Sequence, residues 1–285
     1  MTLKIECEVK FESEPCVLAW DKKLFVGTED GFIKRMIEQC YDAKLSSGAT
    51  WAAHASQVFA LDAAAGKVYS ASYDGGVKVW TEQGEKLCDF PHTDGDIGVL
   101  RVYNTNVFTG DEVGNVTVYE NDSVKAKYSV LEEVKDLQFS QSFLFTARDL
   151  YVTVTEIKPE ESKTRFLTRH TMEGRAPLRI AGDYLLVTAR GGNNLRLHYA
   201  TVDKDFKQLH EVKVSDMIVT SLAVDGNYAW TGSWDGHVRR WKISNNKLEE
   251  AGDIDLGACI NAMVANDNSV YAAVAGGKLV HIKEH

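Results

Sequence analysis

Several residue types and patterns that define other protein classes are scarce or missing from this sequence. Its 285 residues include only 4 prolines and 5 cysteines. The cysteines are odd in number and show no CxxC spacing, so we expect reduced thiols rather than disulfides. No run of about 18 apolar residues predicts a membrane span. The N-terminal segment carries charges where a signal peptide needs an apolar stretch, which predicts an intracellular protein, cytoplasmic or nuclear.

Basic residues are also fewer than acidic residues. The chain has 32 Lys and Arg against 41 Asp and Glu, which gives a formal net charge of -9. An acidic chain repels phosphate backbones, so the charge disfavours nucleic acid as a partner. Hydrophobic residues make up 44% of the chain, which predicts an ordered protein with a sizeable core. The 22 glycines favour many short strands joined by tight turns.

The common catalytic and cofactor motifs are absent as well. The sequence contains no GxxxxGK[ST] phosphate loop, no GxGxxG dinucleotide loop and no GxSxG nucleophile elbow. Its 8 histidines form neither HxH nor HExxH. We therefore expect no cofactor, no metal site and no catalytic residues.

A hairpin pattern at residues 68–80 is the most informative local feature. Small and large residues alternate with period two up to Ser72, as expected of a half-buried strand. Asp74-Gly75 is a strong tight-turn signal, and Val77 to Trp80 supply the residues of a return strand. Residues 229–241 repeat the same pattern. One hairpin is barely stable alone, so a stable domain needs further copies of the pattern.

Seven copies of this hairpin occur along the chain. Their central small residues are Gly27, Ala71, Gly110, Ala147, Ala189, Gly232 and Ala273, spaced by 44, 39, 37, 42, 43 and 41 residues. A separate apolar strand precedes each copy, and a return strand follows it. A repeat of about 40 residues with three clear strands and room for a fourth is typical of a propeller blade.

The second repeat resembles the WD40 family most closely. It contains His54, then Ser70 or Ser72, then Asp74, and finally Trp80. In that family these four residue types form a hydrogen-bonded tetrad within a blade, so the resemblance implies a structural role for them here. The sixth repeat has Thr231 or Ser233, followed by Asp235 and Trp241, but no matching histidine. The other repeats retain mainly the spacing and the strand pattern.

The two ends of the chain are expected to close the ring. The last copy ends at residues 278–283 with a third strand and leaves no outer strand for its blade. Residues 3–11 alternate strictly, and the resemblance implies that such an N-terminal strand completes the last blade. We predict an all-β, seven-bladed propeller with four-stranded antiparallel blades, forming a single domain over residues 1–285.

Some propellers are enzymes with polar groups converging in the central channel. The innermost strands here are chiefly apolar, and Asp136 and Asn261 are their only notable polar residues. This pattern favours a non-catalytic scaffold or adaptor that mediates protein or peptide interactions within a complex. A propeller enzyme with a site in the channel remains the alternative.

Two sets of residues are candidates for binding. In WD40-like domains the residue before the aspartate of the b–c turn tends to be exposed, and the residues at this position are Glu29, Tyr73, Glu112, which is followed by Val113 in place of the aspartate, and Trp234. Tyr and Trp are enriched in interaction hot spots, although both rings could instead pack on neighbouring loops. The second set is Arg-rich and could bind an anion or RNA: Arg165, Arg169, Arg175, Arg179 and Arg190. The alternative for residues 164–169 is a solvated outer strand.

Overall fold

The chain is built almost entirely from short antiparallel strands. The computed structural model describes residues 2–39, 44–74, 76–91, 95–158 and 165–285. Within these ranges the backbone forms twenty-eight strands and one 3-10 helix, Val202–Lys204. That helix has three residues, so no helix in the described part of the chain is long enough to cross a membrane.

The strands are arranged as seven four-stranded sheets, in which strands a to d run from the centre outward. The first strand, β1 (Leu3–Lys10), belongs to the last blade. Blade 1 contains β2 (Pro15–Trp20), β3 (Leu24–Thr28), β4 (Phe32–Gln39) and β5 (Lys44–Ala52). Blade 2 contains β6 (Ala60–Ala64), β7 (Lys67–Ser72), β8 (Gly76–Thr81) and β9 (Lys86–Asp89). Blade 3 contains β10 (Ile97–Tyr103), β11 (Asn106–Asp111), β12 (Asn115–Glu120) and β13 (Ser123–Ser129).

The remaining four blades follow the same plan. Blade 4 contains β14 (Asp136–Ser140), β15 (Phe143–Ala147), β16 (Tyr151–Lys158) and β17 (Arg165–Glu173). Blade 5 contains β18 (Arg175–Ala181), β19 (Tyr184–Thr188), β20 (Asn194–Tyr199) and β21 (Gln208–Lys213). Blade 6 contains β22 (Val219–Asp225), β23 (Tyr228–Ser233), β24 (His237–Ser244) and β25 (Lys247–Asp255). Blade 7 contains β26 (Ile260–Asn266), β27 (Ser269–Val274) and β28 (Lys278–Glu284), with β1 as its strand d.

The ring closes through the two ends of the chain. Strand β1 pairs antiparallel with β28, from Leu3 opposite Glu284 to Lys10 opposite Lys278. The inner strand β26 also contacts β2, so the inner strands form a continuous ring. This arrangement confirms the predicted seven-bladed propeller and its closure by the N-terminal strand. Closure removes the exposed sheet edge that the last blade would otherwise present.

The structure explains why the centre of each strand b is small. A Cβ added at Gly110 would lie 2.4 Å from Cγ1 of Val134, and one at Gly232 would lie 2.5 Å from Cγ2 of Ile260. Val134 and Ile260 are buried at the start of the next blade. The repeating small residue therefore makes room for a side chain of the neighbouring blade, and this contact packs the two blades together.

The blade plan gives the propeller two distinct faces. Because the strands are antiparallel, the b–c turns and the d–a connections share one end, here called the upper face. The a–b and c–d turns share the other end, the lower face. The central channel holds a cavity of about 510 Å³. One residue per blade lines its upper mouth, at a bulge or just before strand a: Cys16, Phe59, Gly98, Lys135, Ala176, Thr220 and Asn261.

Candidate interaction face and central channel

Four side chains of blade 2 form a continuous hydrogen-bonded chain. Trp80 Nε1 donates to Ser70 Oγ at 2.9 Å, and Ser70 Oγ lies 2.8 Å from His54 Nε2. Because the serine accepts from the indole, its own proton points to His54 Nε2. His54 Nδ1–H then donates to Asp74 Oδ1 at 2.6 Å. These bonds tie the d–a connection, strand b, the b–c turn and strand c of blade 2 together. Ser72 instead pairs with Ser56.

Burial and hydrogen bonding determine the protonation states of His54 and Asp74. Burial alone would raise the pKa of Asp74. Hydrogen bonds from the Ala55 backbone N–H, His54 and Lys78 outweigh burial and lower that pKa to about 2. Burial lowers the pKa of His54, against the opposing effect of Asp74. At neutral pH the histidine is therefore uncharged and the aspartate ionised, so the bond between them is charge-assisted.

Acid should remove the contribution of Asp74 to stability. A carboxyl with a lowered folded-state pKa stabilises the fold above its unfolded pKa, near 3.8, and loses that effect as the pH falls toward about 2. We expect Asp74→Asn to reduce the free energy of unfolding by about 1 to 3 kcal/mol at pH 7. The difference from wild type should shrink between about pH 4 and pH 2 in urea titrations. A difference that is constant over this interval would contradict the assignment.

Blade 6 has related hydrogen bonds without a histidine, in two separate groups. Ser215 Oγ lies 2.8 Å from both Ser233 Oγ and Asp235 Oδ2. Trp241 Nε1 donates to Thr231 Oγ1 at 3.0 Å. Hydrogen bonds, from Ser233 foremost, hold the pKa of Asp235 well below its usual range despite burial. The place of the histidine is thus taken by a serine, a substitution that sequence comparison between the repeats did not reveal.

The four turn residues predicted to bind partners lie on the upper face. Tyr73 and Trp234 are each 54% exposed, and Glu29 and Glu112 are exposed as well. Tyr73 also stacks on Phe59, with ring centroids 3.9 Å apart. No ring of the described residues stacks on Trp234. The two aromatics belong to blades 2 and 6, so they mark two separate points of this face.

Further exposed apolar side chains occupy the upper face. They lie in b–c turns, at the start of strand c or in d–a connections: Phe32, Val113, Leu131, Tyr151 and Met217. The Trp234 backbone N–H donates to the carbonyl of Ile218, which brings the turn tip beside the segment that contains Met217. Sequence reasoning missed these residues, and the only signal for them was an apolar residue at a turn position.

The Arg-rich set does not form one cluster. Arg169 lies in the outer strand β17 and donates from Nε to Glu156 Oε2 at 2.6 Å. Arg179 lies in the channel and donates to Asp136 Oδ2 at 2.7 Å. Arg175 begins the inner strand β18, and Arg190 is exposed after β19. Arg165 is in β17.

The channel is more polar than the sequence analysis expected. Asp62, Arg101 and Arg179 line it in addition to Asp136 and Asn261. The expectation was wrong because neighbouring strand residues point in opposite directions. Apolar residues of the inner strands, such as Leu178, are buried between blades, whereas the next residue along the strand, Arg179, faces the channel.

Arg101 and Arg179 both pair with Asp136 in the channel, whereas burial raises the pKa of Asp62, which forms no ion pair with another described residue. Arg101 Nη2 lies 2.9 Å from Asp136 Oδ1, and the Leu178 backbone N–H donates to Asp136 Oδ2 at 3.1 Å. Burial raises the pKa of Asp136, but Arg179 and Arg101 outweigh it and hold that pKa below its usual value. Asp62 Oδ2 accepts from the Val102 backbone N–H at 2.7 Å. These bonds link blades 2 to 3, 3 to 4 and 4 to 5.

This geometry offers little of what a hydrolytic or metal site requires. Burial, with Glu29 and Glu14 nearby, raises the pKa of the Cys16 thiol to about 11, which keeps this nucleophile protonated. Among the residues that the structure describes, no three His, Cys, Asp or Glu side chains are placed to hold a metal ion. What the channel chemistry does provide is ion pairing between blades.

Seven four-stranded antiparallel blades, closed by the N-terminal strand, define a WD40-type β-propeller. No family model and no curated protein matches the chain. The WD40 β-propeller domain of Doa1 superposes with a TM-score of 0.81 at 13% identity, covering 99% of this chain and 97% of that one. The computationally designed Ika8 protein superposes with a TM-score of 0.70 at 20% identity, covering 96% and 98%. At these identities the likeness shows the fold.

Proposed function

We propose that this propeller is a non-catalytic scaffold that holds a protein or peptide partner on its upper face. The observation that carries the proposal is the pair of half-exposed aromatic side chains, Tyr73 and Trp234, at equivalent turn tips of two blades. Such side chains supply large contact areas and dominate many interfaces.

The hydrogen-bonded chains of blades 2 and 6 support this proposal. Tyr73 directly precedes Asp74, and Trp234 directly precedes Asp235. Each aspartate is bonded to the backbone of its d–a connection, at Ala55 and at Asp216. The two aromatics are therefore presented on turns whose backbone is fixed before a partner arrives. Preorganisation of this kind reduces the entropy lost on binding.

The competing functions have weaker support. The channel arginines Arg101 and Arg179 are already paired with Asp136, and the Arg-rich set is divided between the outer edge, the upper end and the channel. Cys7, Cys16, Cys88 and Cys259 form no disulfide with one another, in keeping with an intracellular place for the scaffold.

Capture of partners from a lysate of the source organism tests the proposal. We expect Trp234→Ala to weaken partner binding by about 30-fold, the effect of a hot-spot residue, while the melting temperature stays close to that of wild type. Val202→Ala is the matched control, because Val202 is 53% exposed on the lower face. Retention of every partner by Trp234→Ala, or equal losses in both variants, would contradict the proposal.

A further inference from the structure

The ring pair of Tyr73 and Phe59 borders the upper mouth of the channel. Phe59 lines the channel cavity, and Tyr73 stacks against it with an interplanar angle of 27°. The stack covers part of Tyr73 and leaves 54% of the residue exposed to solvent. This site therefore offers an aromatic surface beside an opening, rather than a ring that is enclosed by its own loops.

The neighbouring blade leaves the mouth open next to this pair. Gly98 occupies the mouth position of blade 3 and is exposed. A Cβ placed there would meet only the carbonyl oxygen of Val134, at 3.9 Å. The backbone at Gly98 therefore leaves open space at the rim of the cavity, beside the ring pair.

Two acidic residues of blade 3 lie side by side near the exposed ring, where the Glu112 backbone N–H donates to the Asp96 carbonyl at 3.0 Å. Partial burial raises the pKa of the Tyr73 phenol, and the negative charges of Asp96, Glu112 and Glu133 raise it further. Glu133 is neutralised by Lys135, whose Nζ lies 2.5 Å from Glu133 Oε2. Asp96 and Glu112 form no ion pair with another described residue. Glu112 is exposed and Asp96 half-buried, and both add to the negative charge of a chain of net charge -9.

The acidic character continues across blade 1. Glu29 and Glu14 lie close enough to the mouth residue Cys16 to raise its pKa, after the effect of burial. Glu14 accepts hydrogen bonds from Asn261 Nδ2 and from the Gly276 backbone N–H, and both donors are uncharged. The side of the upper face formed by blades 1 to 3 is therefore negative and carries an exposed aromatic ring.

We propose that this site binds a lysine or arginine side chain within a basic peptide segment, which rests on the proposed function as a peptide scaffold. The cation would lie against the Tyr73 ring, with Asp96 and Glu112 as its counter-charges. The aliphatic part of the same side chain would lie across the open mouth beside Gly98. A long cation satisfies all three features at once, whereas an acidic segment would meet uncompensated carboxylates.

Selection from a phage-displayed library of random short peptides tests this inference on the full chain. We expect peptides enriched in Lys and Arg. Affinity for a selected peptide should fall on the order of tenfold when salt rises from about 0.1 M to about 1 M, because the Debye length shortens from about 10 Å to about 3 Å. Glu112→Gln should weaken binding roughly fivefold. Tyr73→Ala should weaken it at least tenfold, and Tyr73→Phe should retain it.

Asp203→Asn is the matched charge control on the lower face, where Asp203 is exposed in the 3-10 helix. Selected peptides without excess positive charge, salt-independent binding, or equal losses in Glu112→Gln and Asp203→Asn would overturn the inference, as would the absence of any enriched peptide. In each of these cases, partner capture that depends on Trp234 would still support the scaffold function. Loss of that dependence would instead remove the scaffold function itself.

Discussion

Replacement of Asp136 by alanine should destabilise the propeller by about 3 to 5 kcal/mol. The carboxylate is buried and pairs with both Arg101 and Arg179. It also accepts the backbone N–H groups of Leu137 and Leu178. Without it, two guanidinium groups from blades 3 and 5 lose their ion-pair partner inside the channel, and Asp62 is the carboxylate that remains near them. The cost arises from the charges left behind more than from the bonds removed.

Urea unfolding of three variants separates these contributions. Asp136→Ala should move the midpoint to lower urea, because stability falls linearly with denaturant. If unpaired charge causes the loss, a variant that also replaces Arg101 and Arg179 with methionine should recover much of it. A loss below about 1 kcal/mol for Asp136→Ala, or a further loss in the triple variant, would show that the channel charges are not coupled in this way.

Replacement of Arg240 by alanine should cost a similar amount, about 3 to 5 kcal/mol. Arg240 is fully buried, and its guanidinium carbon lies 3.6 Å from the Tyr228 ring centroid and 5.2 Å from that of Trp230. It forms an ion pair with Glu284 of β28, which joins blade 6 to the blade that closes the ring. Alanine would leave a cavity between two aromatic rings and an unpaired carboxylate.

Lys242→Ala is the matched control for this prediction, because Lys242 is an exposed cation on the same strand, β24. Its effect on the free energy of unfolding should stay within about 0.5 kcal/mol. Arg240→Lys retains the charge but not the planar group that lies on the rings, and we expect an intermediate loss. A lysine variant as stable as wild type would show that charge alone matters at this position.

The fold could be predicted from the sequence because its signals are local and repeated. Each blade carries its own turn residues and alternating strand, so seven weak patterns reinforce one another. The small residue at the centre of strand b, such as Gly110, gave the phase of the repeat. The reason that this residue is small is the close approach of Val134 from the next blade, which only the three-dimensional structure shows.

The channel and the arginines were harder to predict because they depend on the direction of single side chains. Leu178, buried between blades, and Arg179, in the channel, are adjacent in the sequence, and the alternation alone did not determine which of the two faces the channel. Arg179 was therefore grouped with the outer-strand Arg169, although they lie on different parts of blades 4 and 5. Ser215 was missed because its role depends on contacts with Asp235, twenty residues along the chain.

The same structural features underlie the stability predictions and the proposed function. Ion pairs in the channel and between blades 6 and 7 hold the ring together. Hydrogen-bonded chains in blades 2 and 6 hold the turns on which Tyr73 and Trp234 are exposed. A partner would therefore meet a preformed surface, so mutations of the exposed aromatics should change affinity rather than folding.

Site-specific photo-crosslinking tests the central claim, that the upper face is the interaction surface, most directly. A photoreactive phenylalanine derivative would replace Trp234 in one sample and Val202 in another, and both would be irradiated in a lysate of the source organism. The two positions are equally exposed on opposite faces, at 54% and 53%. We predict discrete protein crosslinks from position 234 and none from position 202. Crosslinks from position 202 alone, or the same products from both positions, would contradict the account.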